Sequence, residues 1–362
     1  MPSSAPGGHR HVVSRGRGER VFSYGARLRD IRVANLGDQV HLLAGHSNPE
    51  LAQKVADILH TDLIMSIGVA KFSDSEINVE IPRSVRSKPV HVMQAATPGE
   101  VNDNVMEVCL LLDALRRASS GERTVFFAPF PYQRKDRQND QQRKGATRQP
   151  IAARLAMDMM EIAGAQRFQT LDLHADQEAG FTDLPFDPLF ASKVLIPHIR
   201  NRLPEGKKKA LSPDHGGLER ARKYFEFLGL DGFGYAYKTR GAEGVEVHDI
   251  LGDVAGCHVL LVDDVISTGE SGEKAAKLAH SKGALSVTMV ATHGQFIDVP
   301  GKPSSLQRLE NAGIEKIYVT DTIRHRDAVV NHPLIEVVTV APLVAQMIKS
   351  AAFGHPIHDF VE

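Results

Sequence analysis

Several features that would classify a chain quickly are scarce here. Only two cysteines, Cys109 and Cys257, occur in 362 residues, with no CxxC pair and no zinc-ligand spacing. That excludes a disulfide scaffold and points to buried thiols in a reducing compartment. The formal net charge is −1, so no bulk positive field exists to draw a nucleic acid. No apolar run approaches the roughly 18 residues that a membrane span needs. The first stretch, Met1–Asn35, lacks lysine altogether and has few acids but many arginines. It has no apolar core of a secretory signal. It reads as a flexible tail that touches RNA or phosphate, ahead of the alternative of an organelle transit peptide. Residues 1–38 are therefore set apart as an extension.

The rest is ordinary in composition, 42% hydrophobic and 24% charged, which suits a soluble globular protein. The length allows about two domains. From Gln39 onward, short apolar runs alternate with helical patterns. Strands are expected at Val40–Ala44, Val69–Phe72, Ile77–Ile81, Val90–Gln94, Thr124–Ala128 and Phe168–Leu173. Helices are expected at Pro49–Leu59, with Ser47 or Asn48 as cap, and at Asn104–Ala118, where Val105, Val108, Leu111, Leu112 and Leu115 share a face. Such alternation predicts an α/β fold with mainly parallel sheets. Val90–Ala128 and Val259–Thr292 read alike, as strand, polar loop, helix, strand, so an internal duplication is expected. Pro185–Pro188 interrupts the pattern and suggests domains at 39–187 and 188–362. Two polar stretches, Arg134–Gln149 and Arg240–Glu246, read as mobile loops.

The most informative stretch is His258–Ser271, HVLLVDDVISTGES. A buried strand, Val259–Val262, is expected to end at Asp263 and Asp264. The small hydroxylated loop Ser267, Thr268, Gly269, Glu270, Ser271 leads into a helix near Gly272–His280. Backbone N–H groups and the helix dipole make such a loop an anion site. Carboxylates beside it are costly to bury alone but pair well with sugar hydroxyls. The stretch reads as a sugar-phosphate site. It carries neither a Walker Gly-Lys-Ser/Thr nor a G-x-G-x-x-G turn.

Four more stretches carry candidate chemistry. Phe72-Ser73-Asp74-Ser75-Glu76 offers an aromatic face and carboxylates to a base, or is simply a tight turn. Arg134-Lys135-Asp136-Arg137 follows a strand and suits a triphosphate, or is a solvated charge run. Asp172, His174 and Asp176 stand at a strand end, where a histidine can ligate metal or orient phosphate. Asp214 precedes Gly216-Gly217 and a helix, and can hold Mg²⁺ through carboxylate oxygen. All four lie at predicted strand ends, where open α/β sheets bind ligands. Lys238 and Arg240, at the mouth of a polar loop, can close over a reacting phosphate.

Taken together, GHSNPELA, KFSDSEINVEI, NDNVMEVCLLLDALRRA, FPYQRKDR, LDLHADQEAGFTDLPFD, SPDHGGLERA, YKTR and VDDVISTGES closely resemble the ribose-phosphate diphosphokinase, or phosphoribosyl pyrophosphate synthetase, family. The resemblance runs from about Gln39 to Ala351. It implies two phosphoribosyltransferase-like α/β domains, hexamers built from dimers, and a cytoplasmic enzyme of nucleotide biosynthesis. It implies transfer of the diphosphoryl group of Mg-ATP to the anomeric hydroxyl of ribose 5-phosphate, with Mg²⁺ as cofactor and no nucleic-acid or membrane partner.

By the same resemblance, Phe72, Asp74, Ser75 and Glu76 face the adenine of ATP across a subunit boundary, and Arg134 and Lys135 lie along its phosphates. His174 and Asp214 bind Mg²⁺, with Asp172 a weaker candidate. Lys238 and Arg240 are catalytic, and Arg240, Asp263, Asp264 and the Ser267–Ser271 loop hold ribose 5-phosphate. The chain departs from the family's usual Arg-Gln-Asp at Arg134-Lys135-Asp136 and from its Asp-Thr-Ala-Gly-Thr at Ser267–Ser271. Two rival readings are a non-catalytic regulatory subunit of the same fold and a phosphoribosyltransferase.

Overall fold

A computed structural model describes residues 39–66, 71–138, 148–240 and 246–354, with the side chains of 238–240 and 246–248 left aside. The first sheet takes its strands from short apolar runs: β1 (His41–Ala44), β2 (Leu63–Met65), β3 (Val90–Gln94), β4 (Arg123–Phe127), β5 (Arg167–Leu171) and β6 (Phe186–Leu189). Their order is β2-β1-β3-β4-β5-β6, and every pairing is parallel. Helices α1 (Pro49–Leu59), α2 (Val101–Arg117) and α3 (Ala152–Ala163) make the crossovers.

Helix α1 starts where its sequence dictates. Asn48 accepts from the Leu51 N–H, Pro49 fits the first turn, and His60 closes the helix in the left-handed region. Leu51, Ala52, Val55, Ala56 and Leu59 form its buried face. The five apolar residues expected on one face of α2 are all buried, each worth about 2 kcal/mol.

The second sheet comprises β7 (Lys208–Ser212), β8 (Gly232–Arg240), β9 (Glu246–Leu251), β10 (His258–Ile266), β11 (Ser286–Gly294), β12 (Ile314–Thr320) and β13 (Ile335–Val338). Its order is β13-β12-β11-β10-β7-β8-β9, parallel except for the antiparallel β8–β9 pair. Helices α4 (Ser192–Ile199), α5 (Leu218–Leu228), α6 (Glu270–Ser281), α7 (Ser305–Asn311), the short α8 (Asp327–Val330) and α9 (Ala341–Phe353) complete the chain. With β9 set aside, the order reproduces that of the first sheet strand for strand. The expected repeat is β3-α2-β4 against β10-α6-β11, and the likeness extends to both whole sheets.

The two sheets belong to one compact unit, and the carboxyl ends of their strands meet. His293, at the end of β11, donates from Nε2 to the Leu171 carbonyl at 3.1 Å and accepts at Nδ1 from Thr322 Oγ1 at 2.9 Å. A carbonyl can only accept, which fixes that tautomer. Asn48 Nδ2 donates to the carbonyls of Asp321 and Thr322 at 2.8 and 3.0 Å. Helix α9 packs back onto α1.

Some expectations need correcting. Strand β10 does not end at Val262; it carries Asp263 and Asp264 within it and runs to Ile266. Ile77–Ile81 is no strand, and of the expected Val69–Phe72 the first two residues lie outside the described ones. Lys71 and Ile77 share only an isolated bridge. An alternating pattern needs a neighbouring edge to pair along, and among the described residues Ile77–Ile81 forms only isolated bridges. Strands β2, β6 and β9 were not anticipated. The division expected at 187/188 falls inside β6, which pairs with β5 in the first sheet. The middles of both expected mobile loops, residues 139–147 and 241–245, lie outside the described residues.

Candidate functional site

In each sheet the chain leaves a central strand in opposite directions, and the crevice there is the usual ligand position. In the second sheet this switch lies between β7 and β10. Asp263 and Asp264 stand on β10, and Asp214 follows β7. Asp214 Oδ1 accepts the Gly217 N–H at 3.2 Å in the turn that leads into α5. A Cβ on Gly217 would meet Ser212 Oγ, so any larger residue there would have to turn that hydroxyl aside.

Across the crevice the first sheet contributes His174. Its Nδ1 lies 2.8 Å from Asp264 Oδ2. Nδ1 is therefore the donor, and Nε2 has no hydrogen-bond partner among the described residues. The Asp264 hydrogen bond raises the His174 pKa against the opposing effect of burial. Arg220, on the first turn of α5, approaches Asp264 Oδ1 at 3.7 Å. The two acids split. Burial and the neighbouring Asp264 charge push Asp263 well above the usual carboxylate range, and the Asp214 charge adds to this. Burial opposes ionisation of Asp264 too, but His174 and Arg220 overcome it and hold that carboxyl low. Glu178, fully buried nearby, accepts from the Ala175 N–H at 3.1 Å through Oε1, while Oε2 has no partner among the described residues. Burial pushes its carboxyl up to about 8.

The loop after β10 is shaped from behind. The Ile266 carbonyl accepts from Gln295 and Phe296 N–H, and the Ser267 carbonyl from Ile297 N–H. Gly269 has φ +77°, the left-handed conformation that favours glycine. Helix α6 starts at Glu270, so its first amides have no helical acceptor. Glu270 turns its carboxylate along the helix to Lys274 Nζ at 2.6 Å, which lowers its pKa. Arg134 comes from the turn after β4, and its Nη2 reaches Ser267 Oγ at 3.4 Å.

His174, Asp214, Asp263, Asp264, Arg134 and the Ser267–Ser271 loop are thus gathered in one crevice. Asp172 is also there, but its Oδ2 is taken by the Ala191 N–H at 2.9 Å and Thr292 Oγ1 at 2.6 Å. Lys135 is exposed in the turn beside Arg134, with its N–H on the Tyr132 carbonyl. The backbones of Lys238 and Arg240 lie on β8, paired with His248 and Glu246; their side chains are outside the described set.

Phe72, Asp74, Ser75 and Glu76 form an exposed turn. The Phe72 N–H donates to the Glu76 carbonyl and the Ser75 N–H to the Phe72 carbonyl, both at 2.8 Å, and the Phe72 ring is 55% exposed. Among the described residues no hydrogen bond or ion pair links this turn to the crevice. Arg220 was missed by sequence reasoning. Its signal was an arginine one turn into the helix that opens with Asp214 and paired glycines.

The corresponding crevice of the first sheet, between β1 and β3, is filled by its own side chains. Ser47 Oγ bonds Gln94 Oε1 and accepts the Ala95 N–H at 2.7 Å. Gln94 Nε2 donates to Glu107 Oε2 at 2.7 Å, and Glu107 Oε1 faces His46 Nδ1 at 2.8 Å. A Cβ on Gly45 would lie 2.6 Å from the Gln94 amide.

Comparison with known proteins agrees with this geometry. A family model described as the N-terminal domain of ribose phosphate pyrophosphokinase matches residues 40–164, and one described as a phosphoribosyl synthetase-associated domain matches residues 245–357. The chain is 38% identical over 309 residues to the ribose-phosphate pyrophosphokinase of Wolinella succinogenes, covering 85% of this chain and 94% of that one. It is 36% identical over 319 residues to the Thermotoga maritima protein of the same name, covering 87% and 95%. The crystal structure of phosphoribosylpyrophosphate synthetase from Mycobacterium smegmatis matches with a TM-score of 0.79 at 32% identity, over 87% of this chain and 99% of that chain.

Proposed function

The chain belongs to the ribose-phosphate pyrophosphokinase family, and from that premise we propose how its second crevice works. It transfers the diphosphoryl group of ATP to the anomeric hydroxyl of ribose 5-phosphate, giving 5-phosphoribosyl 1-diphosphate and AMP. One observation carries the reading. Residues of both lobes converge on the same crevice, with Arg134 at Ser267 and His174 at Asp264.

The Ser267–Ser271 loop and the amides opening α6 hold the 5-phosphate, and Asp263 accepts hydrogen bonds from the ribose hydroxyls. Asp264 orients His174 and Arg220. Arg134 and Lys135 lie along the ATP phosphates. The attacking hydroxyl and the β-phosphorus are lined up by these contacts, since such transfer needs positioning and charge neutralisation above all. Lys238 and Arg240 neutralise charge on the transferred group and on departing AMP.

The donors here suit a hard divalent cation. Asp214 and Asp263 offer carboxylate oxygen, Glu178 carries an orphaned buried oxygen, and His174 Nε2 has no hydrogen-bond partner among the described residues while Asp264 fixes its ring. Among the described residues no three histidine, cysteine or acidic side chains cluster to hold a metal on their own. Mg²⁺ retains water and takes ligands from substrate phosphates, so few protein ligands suffice for it. His174 and Asp214 hold it, and when bound it screens the phosphate oxygens. Asp172, occupied by protein donors, acts as a strut between Ala191 and Thr292.

The exposed Phe72 turn serves a neighbouring copy's adenine, so the working form is a homo-oligomer, a hexamer built from dimers. We place it in the cytoplasm, where free thiols such as Cys109 and Cys257 persist. Among the described residues no helix is long and apolar enough to cross a membrane.

Incubation with ATP, ribose 5-phosphate and Mg²⁺ should release AMP and the diphosphate product in equal amounts. A regulatory subunit alone, or a phosphoribosyltransferase, would release no AMP.

A further inference from the structure

Three successive peptides shape the anion loop, and they are not held alike. The carbonyls of Ile266 and Ser267 are tied back by backbone N–H groups of residues 295–297. The third carbonyl, of Thr268, is tied back by a side chain, Arg308 Nη2 at 2.6 Å. In a trans peptide the C=O and the following N–H point in opposite directions. Tying back these carbonyls turns the N–H groups of Ser267, Thr268 and Gly269 toward the crevice. The Thr268–Gly269 peptide is the one best able to flip, because glycine accepts either backbone sign.

Arg308 is built for this task. It is 7% exposed on α7, and its Nε lies 3.2 Å from Glu273 Oε2 on the first turn of α6. One guanidinium thus spans the loop and the helix that follows it. Helix α7 is itself anchored. Ser304 accepts the Gln307 N–H, the Ser305 N–H donates to Asp298 Oδ1 at 2.8 Å, and Asp298 pairs with Arg326 at 2.7 Å. Leu309 of α7 lies 3.2 Å from where a Cβ on Gly269 would sit.

We infer that Arg308 is a positioning residue that latches the Thr268–Gly269 peptide with its N–H toward the sugar phosphate. The inference rests on the reading of this loop as the ribose 5-phosphate site. Arg308 does not touch substrate and acts through the peptide it holds.

The test is ribose 5-phosphate binding by calorimetry together with steady-state kinetics on the parent chain, Arg308→Ala and Arg308→Lys. Arg308→Ala should weaken ribose 5-phosphate binding about tenfold, the worth of one charge-assisted hydrogen bond, and raise its KM alike. The KM for ATP should stay within about twofold. Arg308→Lys, which keeps a donor but not the fork, should recover part of the loss. If Arg308→Ala does not fold, Arg308→Lys carries the test, with a weakening selective for ribose 5-phosphate. Unchanged binding in the folded variants, or equal weakening toward ATP, overturns the inference while AMP release by the parent leaves the proposed activity standing. A parent chain that binds no ribose 5-phosphate overturns both.

Discussion

At the end of β3, Gln94 reaches Ser47 and Glu107 and fills the crevice between the first sheet's central strands. At the same place in the second sheet stand Asp263 and Asp264, and the positive partners described there, His174 and Arg220, both engage Asp264. The frames are alike in strand order. They differ in how their polar groups are satisfied. In the first, each acceptor has a donor on the chain. In the second, acids crowd one another until Asp263 is pushed well above its ordinary range. A buried polar network that closes on itself contributes stability; one left in surplus waits for a ligand.

The sharpest way to break this contrast is at the β8–β9 hairpin of the second sheet. Lys238→Ala should lower turnover at least about a hundredfold, the cost of losing one donor to the transferring group, with the unfolding transition unchanged. Near-parental turnover would remove Lys238 from the chemistry.

Substitution in the first crevice should act in the opposite way. Glu107→Ala leaves Gln94 Nε2 with only its longer bond to the Asn104 carbonyl and strands the His46 N–H and ring. It should cost about 3 kcal/mol in urea unfolding and leave the KM for ribose 5-phosphate unaltered. Lost turnover without lost stability would mean that the first crevice is also a working site.

A pH experiment refines the comparison. His91, on β3, is held down to about 4 by burial, with Gln169 opposing. Its folded pKa lies below its unfolded value of about 6.5. The neutral form is therefore no handicap above that value, and stability is lost as pH falls toward 4. The loss should be about 1.5 kcal/mol at pH 5.5, and His91→Gln should flatten that limb. Parallel acid limbs for parent and variant would contradict it.

The smallest effect concerns the support behind the second crevice. Ser304→Ala, which removes the α7 cap, should cost about 1 kcal/mol by thermal unfolding. A loss of several times that size would show that α7 carries more of the lobe than its cap.

Much of this was legible in the sequence because local rules and tertiary demands agree. Helix α1 was delimited correctly by Asn48, Pro49 and its apolar spacing. Asp263, Asp214 and His174 could be picked out because charged residues beside apolar runs stand out. What was hidden depended on partners. β2 and β9 are defined by the edges they join, and Ile77–Ile81 alternates like a strand yet forms only isolated bridges among the described residues. Arg220 and Arg308 look like ordinary helical arginines until the fold shows Asp264 and the Thr268 carbonyl in front of them. The role of Asp172 likewise depends on Thr292, far along the chain.

The claim that one crevice is closed and its copy is open is tested most directly by a crystal structure with ribose 5-phosphate and a non-hydrolysable ATP analogue. The account predicts the sugar phosphate on Ser267–Ser271 and nucleotide phosphates beside Arg134, with nothing beside His46. Density for either ligand between Ser47 and Gln94, or none at the end of β10, would contradict it.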